Sequence, residues 1–75
     1  MKVFGYSDSK KDTLLELSEV TFSSNAESIR ELASFLIKCA DEMEEYGDSW
    51  EHEHFSSEKA QSVPDIIVFN SESQE

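Results

Sequence analysis

One long amphipathic segment dominates the hydrophobic pattern of this chain. Between residues 24 and 47, apolar side chains recur at steps of three and four, the spacing of one helix face. They are Ile29, Leu32, Ala33, Leu36, Cys39, Ala40 and Met43. Ser24, three residues before Glu27, predicts a capping box at the start, and Gly47 suits a left-handed residue at the end. The pattern predicts a helix of about six turns with these side chains buried.

Two strands are predicted before this helix. Residues 2–7 place Phe4 and Tyr6 on one side of a short strand, and Gly5 within it marks either a bulge or a close backbone approach. Residues 8–12 are polar and turn-forming, which favours a hairpin loop.

Residues 13–22 carry the strongest strand signal. Leu15 and Leu17 alternate with polar residues, but Val20 and Phe22 do so in the opposite phase. Either a β-bulge near residues 18–19 resets the alternation, or both faces of the strand carry apolar side chains.

Two further strands are predicted after the helix. Alternation over residues 50–55 puts Trp50, His52 and His54 on one face. The opposite face carries Glu51, Glu53 and Phe55. After a polar stretch, in which residues 59–61 form either a helical turn or a loop, Pro64 introduces the apolar run 66–69. Four consecutive apolar residues predict a strand buried on both faces, inside the sheet.

The element order predicts an α+β fold: a two-layer ββαββ sandwich with one long helix on a small, mainly antiparallel four-stranded sheet. Residues 1–70 are expected to form a single domain and residues 71–75 a flexible acidic tail. One helix covers only one sheet face. Because an uncovered apolar patch usually marks an interface, we expect a protein partner or a homodimer at the other face.

The charge balance narrows the class of partner. Six Lys and Arg residues stand against 17 Asp and Glu residues, for a net charge of −11. Nucleic acids and anionic membranes are bound through Lys and Arg, so neither is expected as a partner. A basic protein partner is favoured instead.

The single cysteine and the lack of long apolar runs bear on location. Cys39 alone cannot form an intramolecular disulfide framework, which suits a reducing compartment. Its place on the apolar helix face favours a buried, inert thiol over a nucleophile. No stretch approaches the ~18 apolar residues of a membrane span, so a soluble cytoplasmic protein is expected.

The end of the predicted helix breaks an electrostatic rule. A helix C-terminus carries partial negative charge and prefers cations, yet Asp41, Glu42, Glu44 and Glu45 occupy the last turns. This is either a solvated face of an acidic protein or a functional site. We predict a partner-binding surface here. The other side chains predicted to contribute are Asp48, Trp50, Glu51 and Glu53, with Tyr6 on the uncovered sheet face.

No catalytic motif or cofactor site is predicted. The chain has no glycine-rich phosphate loop and no nucleophile–histidine arrangement, so we predict a protein that is not an enzyme. His52 and His54 could offer two imidazoles to a metal, but a site needs further ligands and Cys39 is assigned to the core. An exposed polar-aromatic strand face is therefore favoured over a metal site.

Four segments together resemble the immunity protein 32 family, small bacterial proteins of polymorphic toxin systems. They are Leu-Leu-Glu-Leu-Ser-Glu-Val-Thr-Phe (14–22), Ile-Arg-Glu-Leu-Ala (29–33) continuing to residue 40, Trp-Glu-His-Glu-His-Phe (50–55) and Pro-Asp-Ile-Ile-Val-Phe-Asn (64–70). The resemblance implies a protein that binds and neutralises a cognate toxin, and it implies no catalytic residues. The acidic helix end agrees with this role, because an acidic inhibitor can occupy a basic cleft such as that of a nuclease. The alternatives are a small homodimeric structural or regulatory domain and, third, a metal-binding protein using His52 and His54.

Overall fold

The computed structural model of the protein describes residues 1–56 and 64–73 and shows a mixed α+β fold. In chain order the elements are β1 (Val3–Gly5), β2 (Leu15–Leu17), α1 (Ala26–Tyr46), a 3₁₀ turn (Gly47–Ser49), β3 (His52–His54) and β4 (Ile67–Phe69). The four strands form two separate two-stranded antiparallel sheets. The predicted four-stranded sheet is therefore wrong, although the predicted order of elements is confirmed. The helical turn or loop predicted at 59–61 lies outside the described residues, and the limits of the predicted domain and tail stay predictions.

The first sheet is a hairpin in which Val3 pairs with Leu17 and Gly5 with Leu15. A Cβ atom added to Gly5 would lie 3.2 Å from Cδ1 of Leu17, so the glycine is explained by close approach of the two strands. In the connecting loop, the backbone N–H of Lys10 donates to Oγ of Ser7 at 2.9 Å.

Strand β2 is much shorter than predicted. The strand expected over residues 13–22 is found only at Leu15–Leu17, so neither the β-bulge near residues 18–19 nor a strand with two apolar faces occurs beyond it. Val20 and Phe22 lie in the irregular segment that leads to α1, and both are about half exposed. Their change of phase marks the end of the strand rather than a bulge within it.

The residues at both ends of α1 suit a helix terminus. The carboxamide Oδ1 of Asn25 accepts the backbone N–H of Ser28 at 2.9 Å, so the N-cap is Asn25 and the predicted capping box one residue earlier is wrong. Gly47 has φ 62° and its N–H bonds to the carbonyl of Met43, as predicted for the helix end. With ψ −139° this backbone conformation is accessible almost only to glycine.

The second sheet pairs β3 with β4. His52 lies opposite Phe69, Glu53 opposite Val68 and His54 opposite Ile67. Backbone bonds extend the pairing at both ends, from Phe55 to Ile66 at 2.7 Å and from Asn70 to Glu51 at 2.8 Å.

One face of this sheet is open, which contradicts the prediction for the last strand. Val68 is half-buried, but Ile67 and Phe69 are exposed, so β4 is covered on one face only. On β3 the alternation is as predicted for the two histidines, which are exposed. Trp50 does not share their face, because it precedes the strand and turns into the core.

The core lies between α1 and the covered face of β3 and β4. The buried apolar side chains are Leu32, Cys39 and Trp50. The ring of Phe35 contacts that of Phe55 with centroids 5.1 Å apart, which joins helix and strand. The predicted stripe is only partly buried: Ile29, Ala33, Leu36 and Ala40 are exposed and Met43 is half-buried.

The buried half of α1 is rotated relative to the predicted one. Successive residues are about 100° apart around an α-helix, so the half-buried or buried positions are centred roughly 80° from the predicted stripe. Phe35 and Glu42 are on the inner side, while Leu36 is on the outer side.

α1 has 21 residues, but in the described part of the chain no helix is apolar enough over the required length to cross a membrane.

Candidate functional site

The end of α1 is held by two side chains that turn inward. The indole Nε1 of Trp50 donates to Oε1 of Glu42 at 3.0 Å, and Nζ of Lys38 lies 3.6 Å from Oε2 of the same carboxylate. Trp50 is only 9% exposed. Trp50 is therefore buried and not on the open sheet face where the sequence placed it, while Glu42 is half-buried. Whether either side chain contacts a partner stays a prediction.

The remaining carboxylates at this end point to solvent. They are Asp41, Glu44, Glu45 and Asp48, which we call the acidic end. The last turn of α1 has no basic residue, and Asp48 adds an acid to the 3₁₀ turn. These four side chains are exposed, and whether they form one surface that binds a partner stays a prediction.

Glu51 and Glu53 follow the acidic end along the chain, just before and within β3. The carboxylate of Glu51 is 2.7 Å from Nδ1 of His52. Glu53 is half-buried on the covered face of β3, where its negative charge helps to raise the pKa of Cys39. Tyr6 is exposed and follows β1 in the other sheet. Whether these three residues contact a partner stays a prediction.

A shallow groove lies between the acidic end and the C-terminal turn. Its lining includes Ala40 and Met43, and it carries the carboxylates of Glu44, Asp48 and Glu72. An apolar lining beside three carboxylates suits the aliphatic stem and the charged head of a lysine or arginine. Glu72 is a member of the groove that was not predicted from sequence.

Asn70 builds the groove by tying the last residues to the helix end. Its side-chain Nδ2 donates to the carbonyls of Trp50 at 2.8 Å and Gly47 at 3.2 Å, while its Oδ1 accepts the N–H of Glu72 at 3.0 Å. Asn70 is 5% exposed. From sequence Asn70 was only the end of the last predicted strand, and no local signal marks its contacts with residues 47 and 50.

The thiol of Cys39 is unsuited to nucleophilic chemistry. It is 1% exposed, and burial raises its pKa, as do the nearby carboxylates of Glu42 and Glu53, while Lys38 acts in the opposite direction. Because the thiolate is the reactive form, a raised pKa and lack of access both suppress reaction. The predicted burial of this thiol is confirmed.

The two histidines lie on the open face of the second sheet. The rings of His52 and His54 are 5.2 Å apart, next to the exposed side chains of Ile67 and Phe69 on β4. Within residues 1–56 and 64–73, no group of three or more His, Cys, Asp or Glu side chains is arranged to hold a metal ion. Two imidazoles alone leave a metal site incomplete.

Comparisons with known proteins place the chain in a family. No curated protein and no solved structure shows significant similarity to it. The family model of immunity protein 32 matches residues 19–71, which include α1, β3, β4 and Asn70. The match covers well over half of the 75 residues. The chain therefore belongs to the immunity protein 32 family.

Proposed function

We propose that this protein binds a protein toxin directly and neutralises it without catalysing a reaction. Membership of the immunity protein 32 family is the observation that carries the proposal. The exposed acidic end adds a physical mechanism for recognition.

The acidic end has no evident role in folding. Glu44 and Glu45 lie in the last turn of α1, where the helix dipole disfavours negative charge at a cost of a few tenths of a kcal/mol each. A toxin with a basic surface would compensate for that cost on binding. A nuclease is one such class, because it needs Lys and Arg side chains to hold phosphates.

We assign the acidic end to encounter and orientation. Complementary charge accelerates association and fixes the orientation of two proteins more than it adds affinity. In this proposal the groove beside Glu44 and Glu72 takes one lysine or arginine of the toxin. Glu42 and Trp50 support the surface from inside and do not contact the toxin.

The test is neutralisation of a toxin, and we expect the gene next to this protein's gene to encode the toxin domain. Expression of that domain alone should arrest growth, and co-expression of this protein should restore it. The two purified proteins should also form a complex, and the toxin's activity should fall in proportion to the complex formed. Full toxin activity in the presence of a large excess of this protein would contradict the proposal.

A further inference from the structure

Part of the exposed side of α1 is an apolar stripe with no covering element among the described residues. We call it the outer stripe, and its members are Ile29, Ala33, Leu36, Ile37 and Ala40. Leu36 is 45% exposed and Ile37 63%. Exposed contiguous apolar side chains of this kind usually mark an interaction site.

The outer stripe is continuous with the acidic end. Glu44 follows Ala40 by four residues and Ile37 by seven, so these three side chains lie along one line of the helix surface. Asp41 follows Ile37 by four residues and flanks that line. A partner that lies along α1 therefore meets an apolar stretch first and carboxylates at its end.

The charges on α1 disfavour a second copy of the chain as the occupant. An antiparallel pair of helices would bring Asp41 and Glu44 of one copy towards Glu27 of the other, with Arg30 as the basic residue in that region. A parallel pair would bring the two acidic ends together. Each protomer also carries a net charge of −11, which opposes association with itself.

We propose that the outer stripe is the apolar centre of the toxin interface. Its occupant is an apolar ridge of the toxin that is followed by lysine or arginine side chains, which reach the acidic end. This inference rests on the proposed function and specifies where affinity arises. Interfaces commonly have an apolar centre that supplies most of the affinity and a charged rim that governs encounter.

Two matched substitutions separate the outer stripe from the other open apolar face. Ile37→Gln removes the most exposed isoleucine of the stripe and keeps a good helix-forming residue. Ile67→Gln makes the same change on the open face of β4, where Ile67 is 51% exposed. Both variants should keep the circular dichroism spectrum and thermal midpoint of the parent within a few degrees, because neither side chain is buried.

The measurement is the dissociation rate from the neighbouring toxin domain, with that domain immobilised in an inactivated form. Ile37→Gln should raise this rate about tenfold, the effect of losing one well-packed apolar contact, and Ile67→Gln should change it less than about twofold. Equal effects, or a larger effect of Ile67→Gln, would overturn this inference and leave the proposed function intact.

Two other outcomes would be equally informative. If the unsubstituted protein does not bind the toxin domain, the proposed function is contradicted and this inference with it. If light scattering shows a dimer that Ile37→Gln converts to a monomer, the outer stripe is covered by a second copy and the inference is wrong.

Discussion

The indole N–H of Trp50 donates to the carboxylate of Glu42 across 3.0 Å, from the start of the last hairpin back to the final turns of α1. The bond fixes which side of the helix faces the second sheet. Because Glu42 is used in this bond, we do not count it in the acidic end, whose four members make no comparable contact with the indole.

Glu42→Ala should destabilise the protein by about 1–3 kcal/mol, because it leaves the N–H of a buried indole without its acceptor. Glu42→Gln retains a side-chain oxygen and should cost less than about 1 kcal/mol. Urea denaturation followed by the fluorescence of the single tryptophan measures both. Equal losses from the two variants would mean that this hydrogen bond contributes little to stability.

Asn70→Ala should cost about 2–4 kcal/mol, since it removes the donor to the carbonyls of Gly47 and Trp50 and the acceptor for the N–H of Glu72. Asn70→Asp has nearly the same shape but faces two carbonyl oxygens with a carboxylate, so at pH 7 it should be at least as destabilising. Chemical denaturation of both variants checks this. An aspartate variant as stable as the parent would contradict the role given to the carboxamide.

Leu32→Ala and Leu36→Ala form a matched pair on one helix. Leu32 is 8% exposed, and its truncation should lower the free energy of unfolding by about 2–5 kcal/mol. Leu36 lies in the outer stripe, and its truncation should lower the free energy of unfolding by less than about 1 kcal/mol. Thermal unfolding of the two variants decides between this arrangement and one in which both leucines are buried.

The sequence predicts the existence of α1 well and its orientation poorly. The helix was expected over residues 24–47 and is found at Ala26–Tyr46, because spacing and terminal residues determine its limits. Apolar residues occur around much of its circumference, so periodicity alone could not tell the inner half from the outer stripe. The contact of Phe35 with Phe55, twenty residues further along the chain, holds this orientation together with the bond from Trp50 to Glu42.

The stability contributed by Cys39 should depend on pH. Burial raises the pKa of this thiol in the folded state above its ordinary value of 9.0, so folding favours the neutral form. That contribution is fully present below about pH 9 and is lost as the pH rises through the folded-state pKa. Comparing Cys39→Ala with the parent between pH 7 and pH 10.5 isolates the effect: the stability advantage of the parent should shrink as pH rises, and a constant difference would contradict it.

The candidate site was predictable in charge but not in detail. Asp41, Glu44 and Glu45 could be identified from sequence, because their positions near the end of α1 follow from the limits of the helix alone. Glu72 joins the groove only through Asn70, and that junction depends on contacts between residues more than twenty apart along the chain. No local pattern encodes such a contact.

The central claim is that the acidic end steers a basic toxin surface, and the association rate measured across a salt series tests it most directly. Glu44→Gln with Glu45→Gln removes two charges from the acidic end; Glu16→Gln with Glu19→Gln removes the same two charges from exposed positions elsewhere. At low salt, the first double variant should associate with the toxin domain roughly tenfold more slowly than the parent and lose most of its salt dependence. The control double variant should remain close to the parent. If both double variants show the same rates at every salt concentration, the acidic end does not steer binding.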